Sequence, residues 1–242
     1  MESFVNREKI SVCMATYNGE KYIKKQLDSI LKNITDDDEL IISDDGSSDR
    51  TLNILNLYAQ KNKQITILKG PGKGVVKNFE NALTKAKGSI IFFADQDDEW
   101  EKNKVEIVIQ QFNNPKTLAV VHDAIIVDAN ENKLYDSLFQ IRNSKEGLVK
   151  NLVKNSYVGC CMAVRKELLQ LALPFPENIE MHDWWLGLIS DCNNGSFFLN
   201  DKLIKYRRHD NNVSGMHHYS LKKMIKNRIR LVDELNKRLL RK

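Results

Sequence analysis

The run Asp95-Gln96-Asp97-Asp98 puts three carboxylates side by side, directly after the apolar stretch SIIFFA at 89–94. Carboxylates crowded at one strand end repel one another and raise each other's pKa unless a cation neutralises them. Hard oxygen donors at this spacing suit Mg²⁺ or Mn²⁺, which keep waters and also bind a substrate diphosphate. Taken alone, the tetrad also fits a solvated acidic turn in which Asp97 or Asp98 caps the next helix. A second acidic group, Asp44-Asp45-Gly46-Ser47-Ser48-Asp49, follows the run at 39–43. In nucleotide-binding α/β folds an Asp at a strand end can accept from a base N–H or a ribose hydroxyl. An Asx turn with a helix cap explains Asp49 fully and Asp45 in part. Thr16-Tyr17-Asn18-Gly19 closes a third apolar run at 10–15. Gly70-Pro71-Gly72-Lys73-Gly74 fits neither G-x-x-x-x-G-K-[ST] nor G-x-G-x-x-G. It is either a loop that lets backbone approach a ligand or a plain turn.

The elements between these groups decide whether they meet. Apolar residues at helical spacing fill 20–33 (Tyr22, Ile23, Leu27, Ile30, Leu31), the stretch after Asp49 (Leu52, Leu55, Tyr58, Ala59) and the stretch after Gly74 (Val75, Val76, Phe79, Ala82, Leu83, Ala86). Short strands are predicted at 10–15, 39–43, 64–68 and 89–94. Strand–helix alternation with buried strands implies a mostly parallel central sheet flanked by helices on both faces. Ligands of such sheets sit beyond the carboxyl ends of the strands. All three polar groups fall at those ends, so three separated clusters become one site. The second half is less regular. A strand pair broken by His122-Asp123 is expected at 118–127, with a strand at 157–164 and a short helix at 165–173. A helix at 182–191 and strands at 196–200 and 203–206 follow. From Tyr219 onward the chain reads as a basic amphipathic C-terminal helix, with His217 and His218 as surface residues at its start.

Composition bounds the partners. The chain has 242 residues, 42% hydrophobic and 29% charged, and a net charge of +5. A domain this size buries about 70% of its unfolded surface and needs no disulfides. Residues 221–242 carry +7 and residues 1–220 carry −2. A slightly acidic body with a basic tail argues against nucleic acid as a partner. Cys13, Cys160, Cys161 and Cys192 form no C-x-x-C pair and read as core thiols of a reducing compartment. Charged residues interrupt the N-terminal segment where a secretory signal needs apolar ones, and no apolar run is long enough for a membrane span. A cytoplasmic protein is expected, free or peripheral on the inner face of the membrane. The tail's apolar stripe is expected to pack on the body, with weaker attraction to anionic lipid, or to join a homodimer.

The ordered set ISVCMATYNGEKYIKKQLDSIL, IISDDGSSDRT, GVVKNFENAL, FFADQDDEW, NSYVGCCMAVRKELL, MHDWWLGLI and YRRHDNNVSG resembles the family 2 glycosyltransferases of GT-A fold, and most closely their bacterial rhamnosyltransferase-like surface-polysaccharide members. The resemblance runs over about residues 8–215 in the family's order. It implies a GT-A domain over 1–218, with a nucleotide-binding half at 1–100 and an acceptor-binding half at 101–218, and an appended helix at 219–242. It also implies roles. Thr16, Tyr17 and Asn18 would line the nucleotide pocket, Asp44 or Asp45 would contact the base, and Asn78 would lie near the donor. Asp95 and Asp97, with Asp98 adjacent, would match the D-x-D that holds ribose and metal-diphosphate. Asp183 would be the general base of an inverting transfer, and His209 a further metal or diphosphate ligand. The Q-x-x-R-W motif of processive synthases is absent, which favours transfer of a single sugar.

The chemistry fits these residues. An inverting transfer needs a base for the acceptor hydroxyl and charge stabilisation for the departing diphosphate. Asp183 suits the first if burial beside Trp184 and Trp185 lifts its pKa. Mn²⁺ or Mg²⁺ on Asp97 and Asp98, with Arg207, Arg208 or His209 nearby, suits the second. One of the two tryptophans could stack on the acceptor, although both types are more often core, and His182-Asp183 could simply cap a helix. The expectation is a metal-dependent inverting transferase acting from a nucleotide-sugar, dTDP-rhamnose or a UDP-sugar, onto a saccharide or lipid-linked saccharide. The rivals are a non-catalytic nucleotide-sugar or glycan-binding module and a phosphoacceptor signalling domain. The latter leaves residues 130–215 without a purpose.

Overall fold

The computed structural model describes residues 7–209 and 221–240. The first half follows the predicted alternation: β1 (Ile10–Thr16), α1 (Ile23–Leu31), β2 (Glu39–Asp44), α2 (Thr51–Lys61), β3 (Ile65–Lys69), α3 (Val75–Leu83) and β4 (Ile90–Asp95). These four strands are mutually parallel in the order β3-β2-β1-β4. The central residues of β1, β2 and β4 are buried, since helices cover both faces, whereas the edge strand β3 is partly open. Register does the assembling. Thr16 pairs with Asp44, and Ala15 pairs with Asp95. The three polar groups read from sequence are therefore neighbours across one sheet edge.

Next come β5 (Glu99–Trp100), α4 (Lys104–Gln111), β6 (Ala119–Val127), β7 (Lys133–Tyr135), α5 (Leu138–Arg142), α6 (Leu148–Val153), β8 (Met162–Arg165), α7 (Lys166–Ala172), α8 (His182–Cys192), β9 (Ser196–Arg207) and α9 (Leu221–Leu239). The sheet continues as β8-β6-β9-β5, with β7 on β6. Here it is mixed, because β8 is antiparallel to both β4 and β6 whereas β9 is parallel to β6.

Three sequence expectations change. Residues 119–127 form one strand and not a pair. At His122-Asp123 the ladder shifts register, because the Asp123 carboxylate accepts from Ala124 N, Phe139 N and Ser137 Oγ and draws the α5 start onto the strand. Residues 196–207 are also a single strand, whose pairing with β6 skips Asn200 and Asp201 at the register shift and resumes at Lys202. The predicted strand at 157–164 begins instead with a tight 3₁₀ turn, Gly159–Cys161, before β8. Cys13, Cys160 and Cys161 are buried free thiols and Cys192 is partly buried. His217, His218 and the end of YRRHDNNVSG lie outside the described residues.

Helix α9 packs on the body through Leu231 and Leu235, both nearly inaccessible. Arg228 lies 4.2 Å from the Trp184 ring, and Arg238 donates to the carbonyls of Leu173 and Pro174.

Candidate active site

A cavity of about 640 Å³ opens at the carboxyl edge of the parallel strands. That is the size of a small-molecule site. On the side formed by the ends of β1 and β2 stand Thr16, Tyr17, Asp45, Asn78 and the glycine loop. Gly72 and Gly74 adopt φ of +67° and +84°, values open to glycine at little cost. Their N–H groups donate to the two oxygens of Asp45 at 2.7 and 2.8 Å. The loop that matched no motif is thus clasped against the cavity by one of the acidic residues read beside it.

Asp44 and Asn18 are corrections. Asp44 is buried, and its carboxylate accepts from Thr16 Oγ1, Gly46 N, Ser47 N and Ser47 Oγ. It shapes the turn after β2 and has no face for a base, which leaves Asp45 on the cavity wall. Asn18 does not line the cavity. At φ +49° its amide oxygen accepts from Ser48 N at 2.8 Å, tying the β1 loop to the β2 loop. Asn78 does line it. Its Nδ2 donates to Thr16 O at 3.3 Å, and its buried Oδ1 has no protein partner.

The carboxylates of the acidic floor repel one another. Burial, then the charges of Asp97 and Asp183, push Asp95 up to about 7. Burial, with Asp97 and Asp95, holds Asp98 well above the carboxylate range. Asp98 sits behind the wall. One oxygen accepts from Arg207 N at 3.0 Å, and the other is buried and unpartnered near Asp95 and Cys160. Asp97 reaches the cavity, and its Oδ2 lies 2.7 Å from His209 Nε2. The His209 ring stacks on Tyr22 at 5.0 Å. Beneath the floor Lys104 is fully buried, donating to Cys160 O at 2.9 Å and lying 4.1 Å from the Trp100 ring. Burial lowers its pKa to about 8. Carboxyl oxygens that repel one another, one of them orphaned, beside an imidazole form a donor set that fits Mn²⁺ or Mg²⁺.

Asp183 faces this floor from the start of α8. Met181 is extended and precedes the helix, which puts Asp183 in its first turn. Its oxygens accept from Gly159 N at 2.9 Å and Trp184 N at 2.6 Å, fixing the carboxyl's orientation. Burial raises its pKa to about 6; the two N–H groups and the charge of Arg142 oppose that rise. His182, at the same wall, is buried with neither ring nitrogen partnered. It stacks on Phe79 at 4.1 Å, and burial drives its pKa down to about 3, so the ring is neutral.

Trp184 and Trp185 are core residues, which corrects their expected place at the acceptor. They are 4% and 0% exposed, and their Nε1 groups donate to the carbonyls of Asn151 and Ala172. Arg207 is also corrected. It is buried, with Nε on Asp97 O at 2.8 Å and its terminal nitrogens on Asp128 O and Glu131, so it braces the floor from behind. The cavity's cationic side chain is Arg142, at the end of α5, which sequence reasoning missed; it missed Gln96, Tyr157, Gly159 and Tyr206 too. Gln96 stood inside the acidic tetrad, and its side chain bonds Tyr17 N and O. Arg142 carried no local signal.

A parallel four-stranded half-sheet continued by a mixed one, with an acidic strand end and a buried carboxyl facing it, gives the domain GT-A architecture. The profile of Glycosyl transferase family 2 matches residues 11–171. The chain belongs to that family and is a glycosyltransferase. It is 31% identical over 218 residues to the dTDP-rhamnosyl transferase RfbG of Shigella flexneri, covering 84% of this chain and 73% of that one. It is 28% identical to the UDP-Glc:alpha-D-GlcNAc-diphosphoundecaprenol beta-1,3-glucosyltransferase WfgD of Escherichia coli, covering 88% and 83%. Residues 1–349 of S. aureus TarS, in complex with UDP-GlcNAc, superpose with a TM-score of 0.70 at 21% identity, over 96% of this chain and 66% of that one. The chain also spans 66% of an uncharacterized glycosyltransferase from Nostoc.

Proposed function

We propose that this glycosyltransferase is an inverting, metal-dependent enzyme that moves a single sugar from a nucleotide-sugar to a saccharide or lipid-linked saccharide in bacterial surface polysaccharide synthesis. The observation that carries the reading is Asp183. It is a carboxyl oriented by two backbone N–H groups, poised by burial near neutral pH, and close enough to the Asp95 floor to raise that residue's pKa. The names of RfbG and WfgD support dTDP-rhamnose or a UDP-sugar as donor, and WfgD's name supports an acceptor on a lipid diphosphate.

The nucleotide lies along Thr16, Tyr17, Asp45 and the glycine loop, with Asn78 Oδ1 and Asp95 turned to the ribose and diphosphate. Asp97 and His209, backed by Asp98, would hold the cation, which when bound offsets the charge of the departing diphosphate. His182 offers its unpartnered nitrogens to the sugar. Asp183 takes the proton of the acceptor hydroxyl as that oxygen bonds to the anomeric carbon. The bond from that carbon to the diphosphate breaks on the opposite face, so configuration inverts. Arg142 helps to keep Asp183 ionised until the proton arrives.

Thermal shift against dTDP-, UDP- and GDP-sugars with Mn²⁺ tests the donor, because a ligand of the native state raises stability by mass action. One dTDP- or UDP-sugar should stand out and then support transfer. A panel with no response, or a shift only with GDP-sugars, overturns the donor assignment.

A further inference from the structure

Helix α9 presents two apolar faces, and packing on the body uses only one. Leu231 and Leu235 are the buried pair, with Arg228 and Arg238 reaching over the edges of the tryptophans beneath. Ile225, Ile229 and Val232 stand at i, i+4 and i+7, a single stripe rotated away from that pair. They are 57%, 62% and 39% exposed. Lys226 and Arg230 are exposed along the stripe and line a shallow groove with Ile225 and Ile229. The neighbouring helix α6 adds Val149 and Val153 on one face, 78% and 70% exposed. Arg228 ties the two helices, since its guanidinium reaches Val153 O at 3.4 Å.

We infer that this face, the outer stripe of α9 with the valines of α6, docks on an anionic lipid bilayer. Charge chooses the occupant. The segment 221–242 carries +7 against −2 for the rest of the chain. Apolar side chains set among Lys and Arg match an acyl boundary topped by anionic headgroups. A second copy of the face would bring the same cations against each other across a twofold axis, and like charges oppose that contact. Lys145 and Lys154, both exposed, extend the basic surface on either side of α6.

The placement suits the reaction. Glu180, which Asn227 and Arg228 hold, directly precedes Met181 and His182 of the cavity wall. Val153 lies two residues before Asn155, another cavity residue. The docked face therefore adjoins the side of the cavity that carries Asp183. An acceptor anchored in lipid would reach the base without leaving the bilayer, a consequence that rests on the proposed function, whereas the docking does not.

The test is co-sedimentation of the full chain with vesicles of phosphatidylglycerol and phosphatidylcholine, against pure phosphatidylcholine, with no sugar present. The chain should bind the anionic vesicles at least tenfold more tightly, and 0.5 M salt should weaken that binding. Ile225→Asp/Ile229→Asp should lose tenfold or more of vesicle binding while Tm and transfer to a soluble acceptor stay unchanged. Lys226→Gln/Arg230→Gln should remove much of the salt dependence. Equal binding to both vesicle types, or an Ile225→Asp/Ile229→Asp variant that binds like the parent, overturns the inference. So does light scattering that shows a dimer dispersed by the same substitutions. Because no donor or acceptor enters the vesicle measurement, its failure leaves the catalytic reading standing, and a failed donor panel leaves the docking standing.

Discussion

Replacing Asp183 by Asn separates catalysis from stability, and the structure sets both magnitudes. The Asp183 carboxyl is raised from 3.8 to about 6, chiefly by burial. At 1.36 kcal/mol per pH unit, the ionised form costs the folded state about 3 kcal/mol. Between those two values the folded chain binds more protons than the unfolded one. This group's contribution is therefore fully present below about pH 3.8 and is lost as pH rises through about 6. An amide removes the buried charge, but its Nδ2 cannot accept from the second of the two backbone N–H groups that the carboxyl oxygens hold, a loss of about 1–3 kcal/mol. Asp183→Asn should then be as stable as the parent at pH 8 or more so, by up to about 2 kcal/mol, and less stable than the parent near pH 4, where the parent's acid is protonated and keeps both bonds. Transfer should fall 10²- to 10⁴-fold, the usual contribution of a positioned base. In the parent, kcat should climb through about pH 6 to a plateau, and the variant's residual rate should lose that limb. The assay is nucleotide release with the donor found by thermal shift, alongside Tm from pH 4 to 8. A variant that keeps a third or more of parental activity refutes the base assignment. A lost rate with a Tm several degrees lower at pH 8 refutes the electrostatic reasoning.

Chelation before assay should lower transfer more than tenfold, with Mn²⁺ or Mg²⁺ restoring it in the parent but not in Asp97→Ala; chelator-insensitive transfer would remove the cation from the mechanism. His182→Phe keeps the stack on Phe79 and deletes two unpartnered nitrogens, so stability should hold or rise by about 1 kcal/mol while kcat/KM for the donor falls at least tenfold. Unchanged kinetics would return His182 to the core. Trp185→Ala should cost about 3–5 kcal/mol in urea unfolding, as expected for a fully buried indole, with the acceptor KM of the folded fraction unaltered. A raised acceptor KM without destabilisation would restore the tryptophan to the acceptor site.

The amino-acid order determined the parallel half. Apolar runs of strand length alternate there with helical spacings, and buried parallel strands leave few other arrangements. It also placed Thr16, the Asp45 group and Asp95 to Asp98 at strand ends, where register joins them. Asp183 was legible because it opens an apolar helix in one of the segments that carry the family resemblance.

The tertiary structure decided which member of each polar group faces the ligand. Asp44 and Asp45 are adjacent and chemically identical, yet hydrogen bonds from its own turn and from Thr16 on β1 occupy one while the other clasps a loop from elsewhere in the chain. Trp184 and Trp185 depend on what covers them, and α6, α7 and α9 cover both. Arg142 reaches the cavity from a short helix whose neighbours are distant in sequence. Likewise, the hydropathy of α9 revealed apolar spacing, but only its packing shows that Leu231 and Leu235 are used and that Ile225 and Ile229 are left outside. Periodicity is a property of neighbouring residues. Which face meets a partner, and which carboxylate keeps a free oxygen, depends on contacts made across the fold.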